Sequence, residues 1–197
     1  MKYFFCIVLA SSLTFSSAQT RPSNRYNIGL SLGSGNIKTG PILLNVDYTY
    51  KVKLIQGQLY FDLKSKNKFQ IELLFQPQFN FTKFKPIDNK PFIEKGFEFG
   101  LNGGFLWRRW CLDKKLSYYA IISAGPHYIS GSPSRQSSGF IFSDNFNIGL
   151  TYSILDKIIL DLRPGFRHIS NANLKPKNGG INSITFNIGF IIHPNIF

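Results

Sequence analysis

Residues 160–170 read Leu-Asp-Leu-Arg-Pro-Gly-Phe-Arg-His-Ile-Ser, and this stretch decides the fold. Leucine, proline and phenylalanine occupy the even positions from 160 to 166, whereas the odd positions carry charged residues or glycine. A period of two predicts a β-strand with one apolar face, which we place at residues 158–170. The apolar face continues into His168 and Ser170. A base and a hydroxyl therefore point the same way, close enough for the base to activate a nucleophile.

The same alternation recurs along the chain, and almost none of the sequence has a helical pattern. It predicts nine candidate strands, at residues 26–33, 42–52, 58–64, 69–81, 95–107, 117–130, 140–152, 158–170 and 182–192. Bacterial membrane barrels have an even number of strands, so one candidate must be a fragment. We predict that 58–64 is the fragment and that the true number of strands is eight.

Each candidate strand has one apolar face, rich in phenylalanine, and one face of polar residues or glycine. The predicted fold class is therefore all-β: an eight-stranded antiparallel transmembrane β-barrel of the outer membrane, with a polar interior. A soluble lipocalin-like barrel, with the apolar face inward, is the alternative. It is disfavoured because so many phenylalanines would overfill a small barrel. Ion pairs are predicted in the interior among Arg163, Arg167, Glu72, Glu98 and Asp161.

The first 18 residues have the pattern of a secretory signal peptide. Lys2 precedes an apolar run at 3–13, and the small residues Ser16-Ser17-Ala18 follow as a cleavage site. An apolar run this short does not span a bilayer as a helix. We therefore expect a signal peptide at 1–18, a barrel domain at 19–197, and export to the outer membrane of a Gram-negative bacterium.

The composition points to lipid partners. The 197-residue chain carries a net charge of +13 and is 16% aromatic. Because an exported protein rarely meets nucleic acid, we expect outer-membrane lipid and lipopolysaccharide phosphates as the anionic partners. The three histidines, His127, His168 and His193, lack the spacing of a metal site, so no metal or cofactor is expected.

Strand direction predicts where the polar pair lies. With a periplasmic N-terminus, odd-numbered strands run outward, and His168 and Ser170 lie at the outer rim on the lipid-facing side. Pairing around the neighbouring turns places Asp144 opposite His168 and Asn182 opposite Ser170. Asp144 is the one charge on the apolar face of its strand, which is costly unless it has a partner. The alternative is that these polar residues merely end the strand at the membrane interface.

The motif His168-Ile-Ser170-Asn171-Ala172, followed by Pro176, Asn178 and the glycines 179 and 180, resembles the lipid A 3-O-deacylase (PagL) family. The resemblance is strongest from about residue 118 to 192. It implies an eight-stranded outer-membrane barrel that hydrolyses the ester at position 3 of lipid A. By the same resemblance Ser170 is the nucleophile, His168 the base and Asn171 part of the oxyanion hole. The triad acid would fall at Asn182.

The chemistry that these residues require is consistent with an ester hydrolase. A tetrahedral oxyanion needs donors, for which Asn171 and the N–H groups of Gly179 and Gly180 are candidates. Asn182 can hold a histidine in one tautomer but stabilises its charged form less than a carboxylate does, and Asp144 is the candidate for the missing charge. We therefore expect a serine esterase acting on lipid A. The alternative is a non-catalytic barrel, structural or adhesive, with a degenerate triad.

Overall fold

The computed structural model describes residues 26–36, 48–85 and 92–193. This part of the chain forms one closed antiparallel barrel, in which each strand pairs with its sequence neighbours and the last strand pairs with the first. The strands are β1 Tyr26–Asn36, β2 Tyr50–Lys66, β3 Phe69–Phe84, β4 Glu94–Cys111, β5 Leu116–Ile129, β6 Gly139–Leu155, β7 Ile158–Ser170 and β8 Ile181–Ile192. The predicted eight-stranded barrel is confirmed. The predicted signal peptide at 1–18 lies outside the described residues.

In the described ranges, no helix has the length and apolar character needed to cross a membrane. The longest helical feature there is the 3₁₀ turn Leu112–Lys114, which joins β4 to β5.

The two faces of the sheet show which side meets lipid. Phe79 and Phe99 are exposed on the outer surface, whereas Asn80 and Asn102 are fully buried inside. The apolar face therefore points outward, and the lipocalin-like alternative is wrong. In this arrangement the backbone N–H and C=O groups of the strands are hydrogen-bonded within the barrel, and the outer surface that faces lipid is apolar.

Buried ion pairs fill the interior. Arg163 pairs with Asp161 and Arg167 pairs with Glu98, as predicted. Glu72 pairs instead with Arg108, at 3.0 Å. Buried charges are tolerated when each is paired and hydrogen-bonded. The interior of the barrel is therefore filled by paired side chains.

Strand β2 corrects two predictions. The stretch 58–64 is the middle of β2 and not a fragment, whereas the candidate at 42–52 overlaps β2 only from Tyr50 onward; residues 42–47 lie outside the described part. The alternation in residues 42–52 puts Tyr48 and Tyr50 on the apolar face, which predicts that they face lipid, but both are buried. The Tyr50 hydroxyl donates to Glu98 Oε2 at 3.3 Å. The Tyr50 side chain thus points inward, where its hydroxyl contacts the Glu98 carboxylate. The neighbouring Lys51 and Lys53 point outward.

The barrel has a turn end and a loop end. The turns at 67–68 and 156–157 lie at the same end as the start of β1 and the end of β8. The longer connections 130–138 and 171–180 lie at the other end. Outer-membrane barrels have short periplasmic turns and longer extracellular loops, so we expect the loop end to face the outside. Ser170, the last residue of β7, lies at that end.

Candidate active site

The candidate residues form a row across three adjacent strands at the loop end. Asp144 of β6 pairs with His168 of β7, which pairs with Asn182 of β8. Ser170 lies two residues closer to the rim, opposite Phe142 of β6. All four side chains are on the outer face, where Asp144 is exposed and His168, Ser170 and Asn182 are half-buried. The strands thus bring together the base, the hydroxyl, the amide and the carboxylate that the sequence singled out.

The predicted pairing of Asn182 with Ser170 is wrong by two residues. Asn182 lies opposite His168 because the β7–β8 connection is asymmetric: β7 continues through Ser170, whereas β8 begins only at Ile181. Gly180 has a φ of +66°. This left-handed conformation, which glycine adopts readily, comes directly before the extended backbone of β8. The two-residue difference in register places the Asn182 amide beside the His168 imidazole.

Asn182 orients the imidazole. His168 Nδ1 lies 2.6 Å from Asn182 Oδ1. Because a carbonyl oxygen only accepts, Nδ1 carries the hydrogen and donates it, and Nε2 is left with a lone pair. Among the described residues, no hydrogen bond joins His168 to Asp144 or to the Ser170 hydroxyl. Contacts between a base and its nucleophile are commonly looser in the absence of substrate.

Asn171 organises the loop between β7 and β8. Its side chain is fully buried, and Nδ2 donates to the Lys175 carbonyl at 3.1 Å. Its Oδ1 accepts from the Asn173 N–H at 3.0 Å, and its own N–H donates to Asn178 Oδ1 at 2.8 Å. The carboxamide therefore holds the loop in shape and points away from the outer face.

The connection between β5 and β6 supports the same loop. Gln136 forms an isolated β-bridge with Asn178, and the Ser137 N–H donates to the Lys177 carbonyl at 2.8 Å. The Gly179 N–H donates to the Arg135 carbonyl, also at 2.8 Å. The two loops at this end of the barrel are thus joined by backbone hydrogen bonds.

The backbone N–H groups of the three oxyanion candidates already have acceptors in this conformation. Asn171 donates to Asn178 and Gly179 to Arg135, as above, and the Gly180 N–H donates to Gln136 Oε1 at 3.1 Å. An oxyanion would have to compete with these acceptors for the same hydrogens. The oxyanion role of Asn171, Gly179 and Gly180 stays a prediction.

Gly180 packs directly against the imidazole. A Cβ built on this glycine would lie 2.6 Å from His168 Cε1 and 3.3 Å from Nε2. The first distance is shorter than any carbon–carbon van der Waals contact. A side chain at position 180 would therefore displace the ring, and the left-handed φ adds to the preference for glycine.

We expect Gly180→Ala to lower the turnover of the site by about a hundredfold, because displacing a catalytic group by about 1 Å costs that much. The measurement is the initial rate of ester hydrolysis by refolded protein. The control is Gly139→Ala, since Gly139 also has a positive φ but its Cβ would meet only the flexible end of Lys175. Equal losses in both variants would show that backbone strain, and not the imidazole, is responsible.

Two residues that support the site were missed by the sequence analysis. Gln136 accepts from Gly180, as described, and the Tyr48 hydroxyl accepts from the Asn182 N–H at 2.9 Å. The guanidinium of Arg135 lies 4.8 Å from the centre of the Tyr48 ring. No sequence pattern marks these positions, because they reach the site from other loops.

A family model supports the resemblance in the motif. The model described as lipid A 3-O-deacylase (PagL) matches residues 45–190, which covers β2 to β7, all but the last two residues of β8, and every candidate residue. No protein with curated annotation matches the chain at significant sequence similarity.

Three solved structures align with the chain. The outer membrane enzyme PagL aligns with a TM-score of 0.56 and 15% identity, over 85% of this chain and 99% of that one. Neisserial surface protein A (NspA) aligns with a TM-score of 0.47 and 12% identity, over 86% and 97%. OprG from Pseudomonas aeruginosa aligns with a TM-score of 0.40 and 11% identity, over 86% and 97%. At these identities the PagL structure is informative about the fold.

Proposed function

The chain belongs to the lipid A 3-O-deacylase (PagL) family, and we propose that it is an outer-membrane serine esterase that removes an acyl chain from lipopolysaccharide. The observation that carries the proposal is the 2.6 Å hydrogen bond from His168 Nδ1 to Asn182. It leaves Nε2 as a base on the lipid-facing surface, with Ser170 two residues further toward the rim. We also propose that residues 1–18 direct export of the chain to the outer membrane.

The proposed reaction is acyl transfer through Ser170. His168 Nε2 takes the hydroxyl proton as Ser170 Oγ attacks the ester carbonyl, and the C–O bond to the sugar then breaks as the imidazolium returns the proton to the departing oxygen. Water, activated by the same nitrogen, hydrolyses the acyl-serine and releases a fatty acid. The outward direction of both side chains suits a substrate whose esters lie in the outer leaflet.

Asp144 is proposed to stabilise the charged imidazole. Asn182 fixes the tautomer but carries no charge, so it stabilises an imidazolium less than a carboxylate would. Asp144 lies opposite His168 on the side away from Asn182. Near lipid the effective dielectric constant is lower than in water, which strengthens the attraction between the Asp144 carboxylate and a charged His168 imidazole.

An apolar groove lies on the outer face, deeper in the membrane than the polar row. It has a volume of about 750 Å³, and its walls include Ile148, Leu162 and Phe186. Ile148 and Phe186 each lie four residues deeper than the polar row on their strands, and Leu162 lies six residues deeper than His168. Four residues of strand correspond to about 13 Å, and other lining residues, among them Phe69, Trp107 and Tyr118, lie at the turn end of β3, β4 and β5. Only the far end of an acyl chain descending from Ser170 would therefore reach this groove.

The direct test is the structure of lipid A in cells that make the protein. We expect mass spectrometry to show the loss of one 3-linked acyl chain relative to cells without it. Unchanged lipid A, with the barrel folded in the outer membrane, would favour the second candidate function, a non-catalytic barrel. The observation that favours that candidate is the amide of Asn182 at the position of the acid.

We expect Asp144→Asn to lower the rate of deacylation by about tenfold, the equivalent of about 1.4 kcal/mol in the transition state. The physical reason is the loss of the one carboxylate beside His168. The measurement is the rate of lipid A hydrolysis in detergent micelles, with Glu94→Gln, an exposed carboxylate at the loop end of β4, as the matched control. Unchanged turnover in Asp144→Asn would reject the proposed role.

A further inference from the structure

A row of lysines crosses the outer face of the barrel at the loop end of β2, β3 and β4. Lys51 pairs directly with Lys83, and Lys83 pairs directly with Lys95. All three side chains are exposed and lie on the same outward face as Phe79 and Phe97. Lys53, two residues deeper on β2, faces the same way. Directly paired residues on neighbouring strands lie about 5 Å apart, so the row spans roughly 10 Å.

This arrangement is unfavourable for the isolated barrel. Like charges directly opposite each other destabilise a sheet, and here the repulsion acts twice in one row. None of the four ion pairs found among the described residues involves a lysine. The outward-facing described positions of β1 to β4 carry no carboxylate. Glu94, the exposed carboxylate next to Lys95 in sequence, belongs to the opposite side of β4, so no described carboxylate of β1 to β4 shares the outward face with the lysine row.

The lysines border a groove with an apolar floor. The groove has a volume of about 640 Å³ and is lined by all four lysines together with Leu32, Ile55 and Phe81. The apolar residues lie on the side toward the middle of the barrel, and the lysine row lies on the side toward the loops. A ligand that matches both parts has an anionic head and acyl chains.

We propose that this lysine groove binds the phosphate groups of one lipopolysaccharide molecule, whose acyl chains lie against Leu32, Ile55 and Phe81. The loop end faces the outer leaflet, where lipopolysaccharide is the phosphate-bearing lipid. Lysine ammonium groups bind phosphate as point charges. An anion between Lys51, Lys83 and Lys95 would relieve the repulsion in the row.

The groove is separate from the site around Ser170. In the closed ring, three strands separate β3 from β7 in either direction. Given the spacing and tilt of strands in an eight-stranded barrel, the two faces lie roughly 15 Å apart. The groove wall reaches β1 at Leu32, but the lysine row lies on β2 to β4, so a lipid whose phosphates lie on the row is held away from Ser170. The groove is a binding site and not a part of the proposed catalysis.

The test counts bound lipids. The Ser170→Ala protein, which leaves the probe intact, is placed in phosphatidylcholine nanodiscs and titrated with diphosphoryl lipid A, and native mass spectrometry gives the number bound per barrel. Each basic residue near an anionic lipid contributes about fivefold in affinity. In the same background, we therefore expect the triple variant Lys51→Gln, Lys83→Gln, Lys95→Gln to bind one lipid roughly a hundredfold more weakly. The matched control is Lys64→Gln, Lys66→Gln, Lys68→Gln, at the turn end of the same strands.

Several outcomes would overturn the proposal. Equal binding by the triple variant and the control would show that the row does not hold the lipid. Equal binding of lipid A without phosphates would show that the lysines do not read phosphate, and equal displacement by phosphatidylglycerol would show a site for any anionic lipid. Because the count is made with Ser170→Ala, it is independent of whether the chain is an esterase. The triple variant with Ser170 retained should match the wild type in hydrolysis within about twofold.

Discussion

Replacing Ser170 by alanine is expected to abolish deacylation, with a loss of at least about a thousandfold in rate. Ser170 is the hydroxyl two residues from His168 on the outer face of β7, and removing a nucleophile leaves only the contribution of binding and oxyanion contacts. The measurement is mass spectrometry of lipid A from cells that produce either protein. The 3-linked acyl chain should be lost with the wild type and retained with Ser170→Ala.

A matched serine makes this result specific. Ser34 lies on the outer face of β1, where it is exposed while Ser170 is half-buried, and it has no histidine beside it. Ser34→Ala should therefore behave as the wild type. If both serine variants still deacylate lipid A, the hydroxyl of Ser170 is not the nucleophile and another group on the barrel is responsible.

Replacing Asn182 by aspartate is expected to raise the rate by at least about tenfold. The aspartate has the same shape, so the 2.6 Å contact with His168 Nδ1 is retained, while the new charge stabilises the imidazolium formed as Ser170 attacks. The reverse change in a serine protease triad lowers turnover by about 10⁴. The measurement is the initial rate with lipid A in micelles, compared with the wild type at the same level of folded protein.

A double variant separates the roles of the two neighbours of His168. If Asp144 supplies charge that Asn182 lacks, Asn182→Asp should restore the activity that Asp144→Asn loses, and the two changes should be strongly non-additive. Asn182→Leu, which removes the acceptor, should lower the rate in either background. A rate that is unaffected by all three changes would mean that His168 is not oriented by these residues.

Much of the fold followed from side-chain alternation. Strand β7 has the predicted bounds, and the direction of Phe79 and Asn80 is as the pattern indicated. A period of two is a strong signal when one face is uniformly apolar. The pattern is ambiguous at Tyr50, because a tyrosine can face lipid with its apolar ring or donate a hydrogen bond to a buried carboxylate. Hydropathy does not separate these two environments.

The candidate site was only partly predictable. The alternation of side chains along each strand, with the order of the strands, was enough to place His168, Ser170, Asp144 and Asn182 on one outer face at one end of the barrel. The partner of the imidazole depended on the register across the β7–β8 loop, which contains several left-handed residues, Gly180 among them. The contact of Gln136 with that glycine joins residues 44 positions apart, and nothing in local sequence specifies such a pairing.

The hydrogen-bonded bridge between the loops at 130–138 and 171–180 has a consequence for how the region can be exchanged between relatives. Arg135, Gln136 and Ser137 accept from or donate to the backbone of residues 177–180, so neither segment has its shape independently of the other. A chimaera that receives only the loop at 171–180 would contain the residues of the motif without the segment that holds them in position. Transplantation requires both segments as a single module.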